Sequence, residues 1–82
     1  MSRRFDYRIC QVQSSRVTFV NGEWQGARPM AADRADESLQ SCSLEWDFLR
    51  AAGDDSWELA GVVQGIGGDA NARILYLRRE RE

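Results

Sequence analysis

The chain has 82 residues, of which 43% are hydrophobic and 29% charged, with a formal net charge of −2. This length predicts one small domain near the lower size at which a single core is stable without disulfides, metal or a partner, and the composition excludes a disordered chain. The acidic balance disfavours a dedicated nucleic-acid binder, and the lack of a bilayer-length apolar run or an apolar signal core predicts a cytoplasmic protein.

Two strands joined by a tight turn are predicted at the start of the chain. Residues 5–13, FDYRICQVQ, alternate with a period of two, which is typical of a half-buried strand. Ser14 and Ser15 form the expected turn, and the β-branched and aromatic residues of 16–22, RVTFVNG, supply the second strand. We therefore expect an amino-terminal β-hairpin.

A long loop and one helix are predicted next. Residues 21–38 contain two glycines, the only proline and several acids, a composition typical of a surface loop. Residues 39–52 have helical spacing, and Gly53 is expected to end the helix in a left-handed conformation. The stripe expected to face the core consists of Cys42, Trp46, Leu49 and Ala52.

A second hairpin is predicted at the end of the chain. Residues 56–65, SWELAGVVQG, and 72–80, ARILYLRRE, have strand patterns, with Trp57 and Leu59 expected beneath the helix. The chain is thus predicted to be a single α+β domain, residues 1–82, in the order ββαββ. We expect a four-stranded antiparallel sheet with one helix packed on one face, and the pattern leaves the strand order open.

The stretch LRAAGDDSWELAGVV, residues 49–63, resembles the motif LNELGAEGWELVSV of a small bacterial group, the domain-of-unknown-function family 4177. FDYRICQV and ILYLRRE are similar to the first and last strands of that family, so the likeness covers about residues 5–13 and 45–80. It departs in the insertion at 21–38, at Ala52, where the family usually has leucine, and at Ser56, where it usually has glycine. The departure at Ser56 costs little if that residue is extended. The resemblance implies the ββαββ fold, and it implies no mechanism because the family has no established activity.

The residue types present disfavour a reaction centre. Asp54, Asp55 and Glu58 lack the spacing of a calcium loop, so we expect two solvated turn residues and a glutamate paired with a cross-strand arginine. The chain has no histidine and no lysine to activate Cys42 as a nucleophile. The glycine-rich 65–69, GIGGD, is followed by a strand and is expected to be a hairpin connection rather than a phosphate-binding loop. We expect no metal, no cofactor and no enzymatic activity, with a site assembled between subunits as the enzymatic alternative.

The two cysteines admit two interpretations. Cys10 and Cys42 are too few for a zinc site or a disulfide scaffold, and we expect them to be small buried hydrophobic residues. A disulfide between them would join the first strand to the helix, and the sequence leaves that state open.

Apolar residues in excess of what one helix can cover predict a partner. Both faces of the expected sheet carry them, and the helix has a second apolar stripe. We therefore expect a non-enzymatic protein–protein interaction or assembly module, either a homo-oligomer or a small accessory subunit of a larger complex. The residues predicted to form the partner interface are Leu44, Phe48, Ala51, Val12, Val62, Leu75, Leu77 and Trp24.

Binding of single-stranded nucleic acid is the alternative function. Arginines crowd the two ends of the chain, and aromatic residues on a sheet can stack bases if the first and last strands are neighbours. The strip predicted for this role consists of Tyr7, Arg8, Arg73, Tyr76, Arg78 and Arg79.

Overall fold

One antiparallel sheet flanked by two helices makes up the fold in the computed structural model, which describes residues 3–65 and 72–81. In this part of the chain the elements are β1 Phe5–Gln13, β2 Arg16–Val20, β3 Glu23–Trp24, α1 Ala35–Gln40, α2 Glu45–Asp54, β4 Glu58–Gln64 and β5 Ala72–Glu80. The strand order is β3-β2-β1-β5-β4, so the first and last strands are neighbours at the centre of the sheet. The predicted α+β antiparallel architecture is confirmed, but the sheet has five strands rather than four and a second helix is present.

The two turns around β2 explain the additional strand. Ser14 and Ser15 have φ angles of 51° and 64°, a two-residue left-handed turn whose twist fits a hairpin, as predicted. Asn21 and Gly22 repeat this geometry with φ angles of 51° and 82° and lead the chain into β3. Asn-Gly is a strong hairpin signal, yet the composition of 21–38 favoured a continuous loop.

The rest of the predicted loop is organised around one buried serine. The hydroxyl of Ser38 accepts a hydrogen bond from the backbone N–H of Ala31 at 3.2 Å. It also lies within hydrogen-bonding distance of the carbonyls of Pro29 and Arg34. These contacts tie residues 29–34 to α1, so the segment is ordered by its own polar groups.

The single predicted helix of 39–52 is interrupted. Residues 41–44 leave the helical path because their backbone groups bond to the first hairpin. Val17 N–H donates to the Ser43 carbonyl at 3.0 Å, and Glu45 N–H donates to the Ser15 carbonyl at 2.9 Å. The guanidinium of Arg16 also donates to the Cys42 carbonyl at 2.6 Å. Hydrogen bonds to the first hairpin thus replace those of a continuous helix.

The core lies between α2 and one face of the sheet. Its buried members are Cys10, Val12, Val17, Ala52, Trp57, Leu75 and Leu77, with Val20, Phe48 and Leu49 packed against them. Trp46 was predicted to face the core but is 73% exposed, since it lies two residues, about 200°, around the helix from Phe48. Leu59 was also expected beneath the helix and is exposed instead. No helix in residues 3–65 or 72–81 is long and apolar enough to cross a membrane.

The end of α2 differs from the prediction for Gly53. The helix continues through Gly53 to Asp54, and the left-handed residue is Ser56, with a φ angle of 68°. Trp57 N–H then donates to the Ala52 carbonyl at 2.9 Å, which closes the helix end. Ser56 is therefore not extended, so the condition under which serine would cost little is not met, and a serine occupies a conformation that favours glycine.

The second predicted hairpin is formed by β4 and β5. They pair from Glu58 with Arg78 to Gln64 with Arg73, and Gly65 N–H donates to the Ala72 carbonyl at 3.1 Å. The predicted connecting loop GIGGD lies outside the described residues except for Gly65.

Candidate interaction surface

The face of the sheet opposite α2 is apolar at its centre, and we call its five central residues the open face. They are Tyr7 and Ile9 on β1, Ile74 and Tyr76 on β5, and Val63 on β4. The register places Ile9 beside Tyr76 and Val63 beside Ile74. Tyr7 is 59% exposed, Ile9 44% and Val63 45%, while Ile74 and Tyr76 are half-buried. Exposure of this kind on adjacent strands is typical of a surface that binds another protein.

The alternation of side chains along the strands explains this arrangement. In β1 the set that faces α2 contains Cys10 and Val12, whereas the more apolar set, with Tyr7 and Ile9, faces away. Gly61 lies opposite Tyr76, where a β-carbon would only touch the tyrosine ring at 4.0 Å. The sequence pattern separates the two sets but does not say which one the helix covers.

Charged residues at one end of the open face neutralise one another. Arg78 donates to Glu58 at 2.6 Å, and Arg3 donates to Glu80 at 2.8 Å. The hydrogen bond from Arg3 lowers the pKa of Glu80 below its ordinary value. Both guanidiniums also lie over the ring of Phe5, at 4.7 Å for Arg78 and 5.5 Å for Arg3. This end is therefore balanced in charge, and the predicted pairing of Glu58 with a cross-strand arginine is confirmed.

An aromatic pair lies across β2 and β3. The rings of Phe19 and Trp24 meet edge to face with centroids 5.4 Å apart. Trp24 is half-buried, and its indole N–H donates to the Arg28 carbonyl at 2.8 Å. A β-carbon at Gly26 would lie 2.6 Å from the Trp24 ring, so this glycine provides the space for the indole. Trp24, a predicted interface residue, therefore makes its main contacts with Phe19 and with the loop that follows it.

Strand β4 is exposed on both faces and along one edge. Leu59 and Val62 pair with core residues of β5, and so point towards the helix side, yet they are 51% and 44% exposed. Val63 is exposed on the opposite side. Among the described strands β4 has a neighbour on one side alone, because it ends the sheet. It presents both apolar side chains and backbone hydrogen-bonding groups to the surroundings.

The eight residues predicted for the partner interface fall into three groups. Val12, Leu75 and Leu77 are at most 2% exposed and form the core, so assigning them to an interface is wrong. The reason is the face assignment, since their set of alternating positions packs beneath α2. Phe48 packs against the core and Trp24 is half-buried. The residues exposed on the surface are Leu44, Ala51 and Val62. The exposed residues that this prediction left out include Tyr7, Ile9, Val63 and Trp46.

The six residues of the predicted nucleic-acid strip divide between the two faces of the sheet. Tyr7, Tyr76 and Arg78 share the open side. Arg8 and Arg79 stack on the buried ring of Trp57, at 4.3 Å and 4.5 Å from its centre, and Arg73 forms an ion pair with Glu45 of α2. The structure therefore brings together half of the strip.

Two acidic residues at one end of the sheet, Asp55 after α2 and Asp6 on β1, are engaged in ion pairs. Asp55 accepts a hydrogen bond from Arg79 at 2.9 Å, and both residues line a cleft of about 370 Å³. Arg81 approaches Asp6 at 3.7 Å beside the same cleft. No group of three or more histidines, cysteines or carboxylates in residues 3–65 and 72–81 is placed to hold a metal ion. The two ion pairs therefore link β5 and the end of the chain to the end of α2 and to β1.

Cys10 and Cys42 are buried free thiols, which confirms the interpretation as small hydrophobic residues. Burial raises the pKa of each thiol above its ordinary value, although the nearby Arg8 and Arg16 oppose the shift. Thiols that remain protonated are weak nucleophiles.

Comparison with known proteins adds no relative to this picture. A scan against protein-family models, a search of curated proteins and a search of solved structures each returned no match. The resemblance of LRAAGDDSWELAGVV to the domain-of-unknown-function family 4177 therefore stays a prediction from the sequence.

Proposed function

We propose that this protein is a non-enzymatic assembly module of the cytoplasm that self-associates, or serves as a small accessory subunit of a larger complex. The observation that carries the proposal is the uncovered apolar surface formed by the open face and β4. Its exposed members lie on adjacent strands, and the charges at its border are already paired. Such a surface favours burial against another protein.

The area and shape of the chain support the same conclusion. Its accessible surface is 6003 Å², whereas a compact monomer of 9.3 kDa exposes about 5,000 Å². The excess of about 1,000 Å² is comparable to the ~800 Å² that each partner buries in a standard interface. The radius of gyration is 13.7 Å, against about 12 Å for a compact domain of this length. Both quantities favour association.

The test is the native mass at two salt concentrations. Light scattering coupled to size exclusion should give a dimer or larger species at micromolar concentration, and that species should persist at high salt because apolar contacts are not screened. A native pull-down with mass measurement detects the accessory-subunit form. A monomer under all conditions, without a stoichiometric partner, would refute the proposal.

Nucleic-acid binding is the second candidate, since Tyr7, Tyr76 and Arg78 share a face. It is weaker because Arg78 is paired with Glu58 and the chain carries net negative charge. It predicts that a single-stranded oligonucleotide binds at low ionic strength and is released steeply as salt rises. Absence of binding at low salt would remove this candidate.

A further inference from the structure

We infer that two copies of the chain join through the outer edge of β4, which pairs with its own copy as an antiparallel strand. The inference rests on the proposed function and names the strand through which the two copies associate. Antiparallel pairing of a strand with itself is two-fold symmetric, which is the commonest symmetry of small oligomers. The product is a sheet that continues from one copy into the other.

The two ends of the sheet differ in how well they are protected. At one end, β3 has two residues, and the chain that follows it bonds back through Gln25 N–H to the Thr18 carbonyl at 2.8 Å. At the other end, β4 has seven residues, and its outer edge has no neighbour within the described chain. Natural proteins usually shorten or cover an exposed edge, so a long open edge is an expected pairing site.

The side chains of β4 lack the usual barriers to edge pairing. Residues 59–64, LAGVVQ, contain no charge and no proline, and Glu58 is held by Arg78. One irregularity, a bulge between Leu59 and Gly61, interrupts the strand near its start. The regular stretch available to a second copy is therefore Gly61–Gln64, and the two-fold axis is expected near Val62.

This register places uncharged residues of one copy beside uncharged residues of the other. With Val62 on the axis, the two Val62 side chains meet on the helix side, and Val63 lies beside the small Gly61 of the other copy on the open side. A second copy is favoured as the occupant because the strand is free of charges that would repel its twin. The excess surface of about 1,000 Å² is also comparable to the ~800 Å² that each partner of a standard interface buries.

The test compares two lysine substitutions of equal starting exposure. Val62 and Ile9 are both 44% exposed aliphatic residues, one on β4 and the other on β1, two strands away. Val62→Lys should raise the dimer dissociation constant more than about tenfold because two ammonium groups oppose each other across the axis. Met30→Lys changes an exposed residue that lies outside both β4 and the open face and should leave the dimer intact, whereas Ile9→Lys reports whether the open face takes part in the contact. Circular dichroism of each variant reports that the fold is retained.

Mixing oppositely charged variants tests the apposition of Val62 with its copy. Val62→Lys and Val62→Glu should each be monomeric alone and should form a mixed dimer when combined, because the charges then attract. Amide hydrogen exchange of wild type should also slow in residues 61–64 as the concentration rises through the dimer dissociation constant.

The outcomes separate this inference from the proposed function. A wild-type dimer that Ile9→Lys dissociates and Val62→Lys does not would overturn the β4 contact and leave self-association standing. A mixture of Val62→Lys and Val62→Glu that stays monomeric while wild type dimerises would overturn the two-fold axis near Val62. A wild-type chain that is monomeric throughout would overturn both the contact and self-association.

Discussion

The guanidinium carbon of Arg8 lies 4.3 Å from the centre of the Trp57 ring. The guanidinium of Arg79 lies 4.5 Å from the same centre, so two neighbouring strands place a cation on one indole. Trp57 is itself fixed at the end of α2 by its hydrogen bond to the Ala52 carbonyl. Trp57, which lies within the stretch LRAAGDDSWELAGVV, therefore joins the helix end to β1 and β5, which is a structural role.

Substitutions of Trp57 should separate packing from hydrogen bonding. Its indole nitrogen is buried and has no hydrogen-bond partner among the described residues. Trp57→Phe removes this polar atom and keeps an aromatic ring, so we expect a loss of about 1–2 kcal/mol in the free energy of unfolding. Trp57→Ala should cost about 3–5 kcal/mol. Urea denaturation followed by circular dichroism measures both. Both variants remove the indole N–H, but only Trp57→Ala removes the ring. Equal losses would therefore mean that loss of the N–H dominates, and that this group has a hydrogen-bond partner in solution.

The left-handed residue after α2 predicts a stabilising substitution. Ser56 has a φ angle of 68°, which costs a serine about 1 kcal/mol and costs glycine little. Ser56→Gly should therefore raise the free energy of unfolding by about 0.5–1 kcal/mol, as measured by urea denaturation. A decrease would show that Ser56 is extended in solution.

Gly53 provides the matched substitution in the opposite direction. It lies within α2, and a β-carbon built there has no atom within 4 Å. Gly53→Ala should therefore stabilise the protein by about 0.5–1 kcal/mol through helix propensity and a smaller unfolded-state entropy. If Gly53 were instead the left-handed residue that the sequence pattern indicates, the same substitution would destabilise it.

These two positions illustrate what the sequence could predict. A glycine followed by two acids indicates a helix end, and the end is correctly placed to within about one turn. The conformation of each residue depends on Trp57, whose N–H reaches back to Ala52 and sets the length of the last turn. Such a contact is set by packing of the tryptophan and not by the local pattern.

The candidate surface could also be predicted in part: the sequence indicates that apolar residues remain uncovered, but not which ones. Period-two alternation identified two apolar sets in the strands, and a surplus of them predicted a partner. Which set the helix covers depends on how the chain crosses the sheet, and Leu75 and Leu77 were therefore assigned to the wrong face. The interruption of the helix at 41–44 could not be predicted for the same reason. The hydrogen bonds that replace those of a continuous helix involve Ser15 and Val17, which are distant in the sequence.

The buried thiols predict a loss of stability at alkaline pH. Burial raises the pKa of Cys10 and Cys42 above the ordinary value of 9.0 in the folded state. Above about pH 9 the unfolded chain releases these protons while the folded chain retains them, so the free energy of unfolding falls as pH rises towards the folded pKa values. Urea denaturation at about pH 8 and about pH 10 should show a larger decrease for wild type than for the Cys10→Ala, Cys42→Ala double variant. Equal decreases would contradict this linkage.

The ion pair between Arg73 of β5 and Glu45 of α2 should contribute measurably to stability. Both side chains are more than two-thirds buried, and the pair links the helix start to the sheet. A double-mutant cycle with Glu45→Gln and Arg73→Met, measured by urea denaturation, should give a coupling free energy of about 1 kcal/mol. The pair of Arg28 and Glu37 has side chains more than half exposed and lies at 3.4 Å, so the cycle with Arg28→Met and Glu37→Gln should give little or no coupling. Equal coupling in the two cycles would show that partial burial does not strengthen the Arg73 pair.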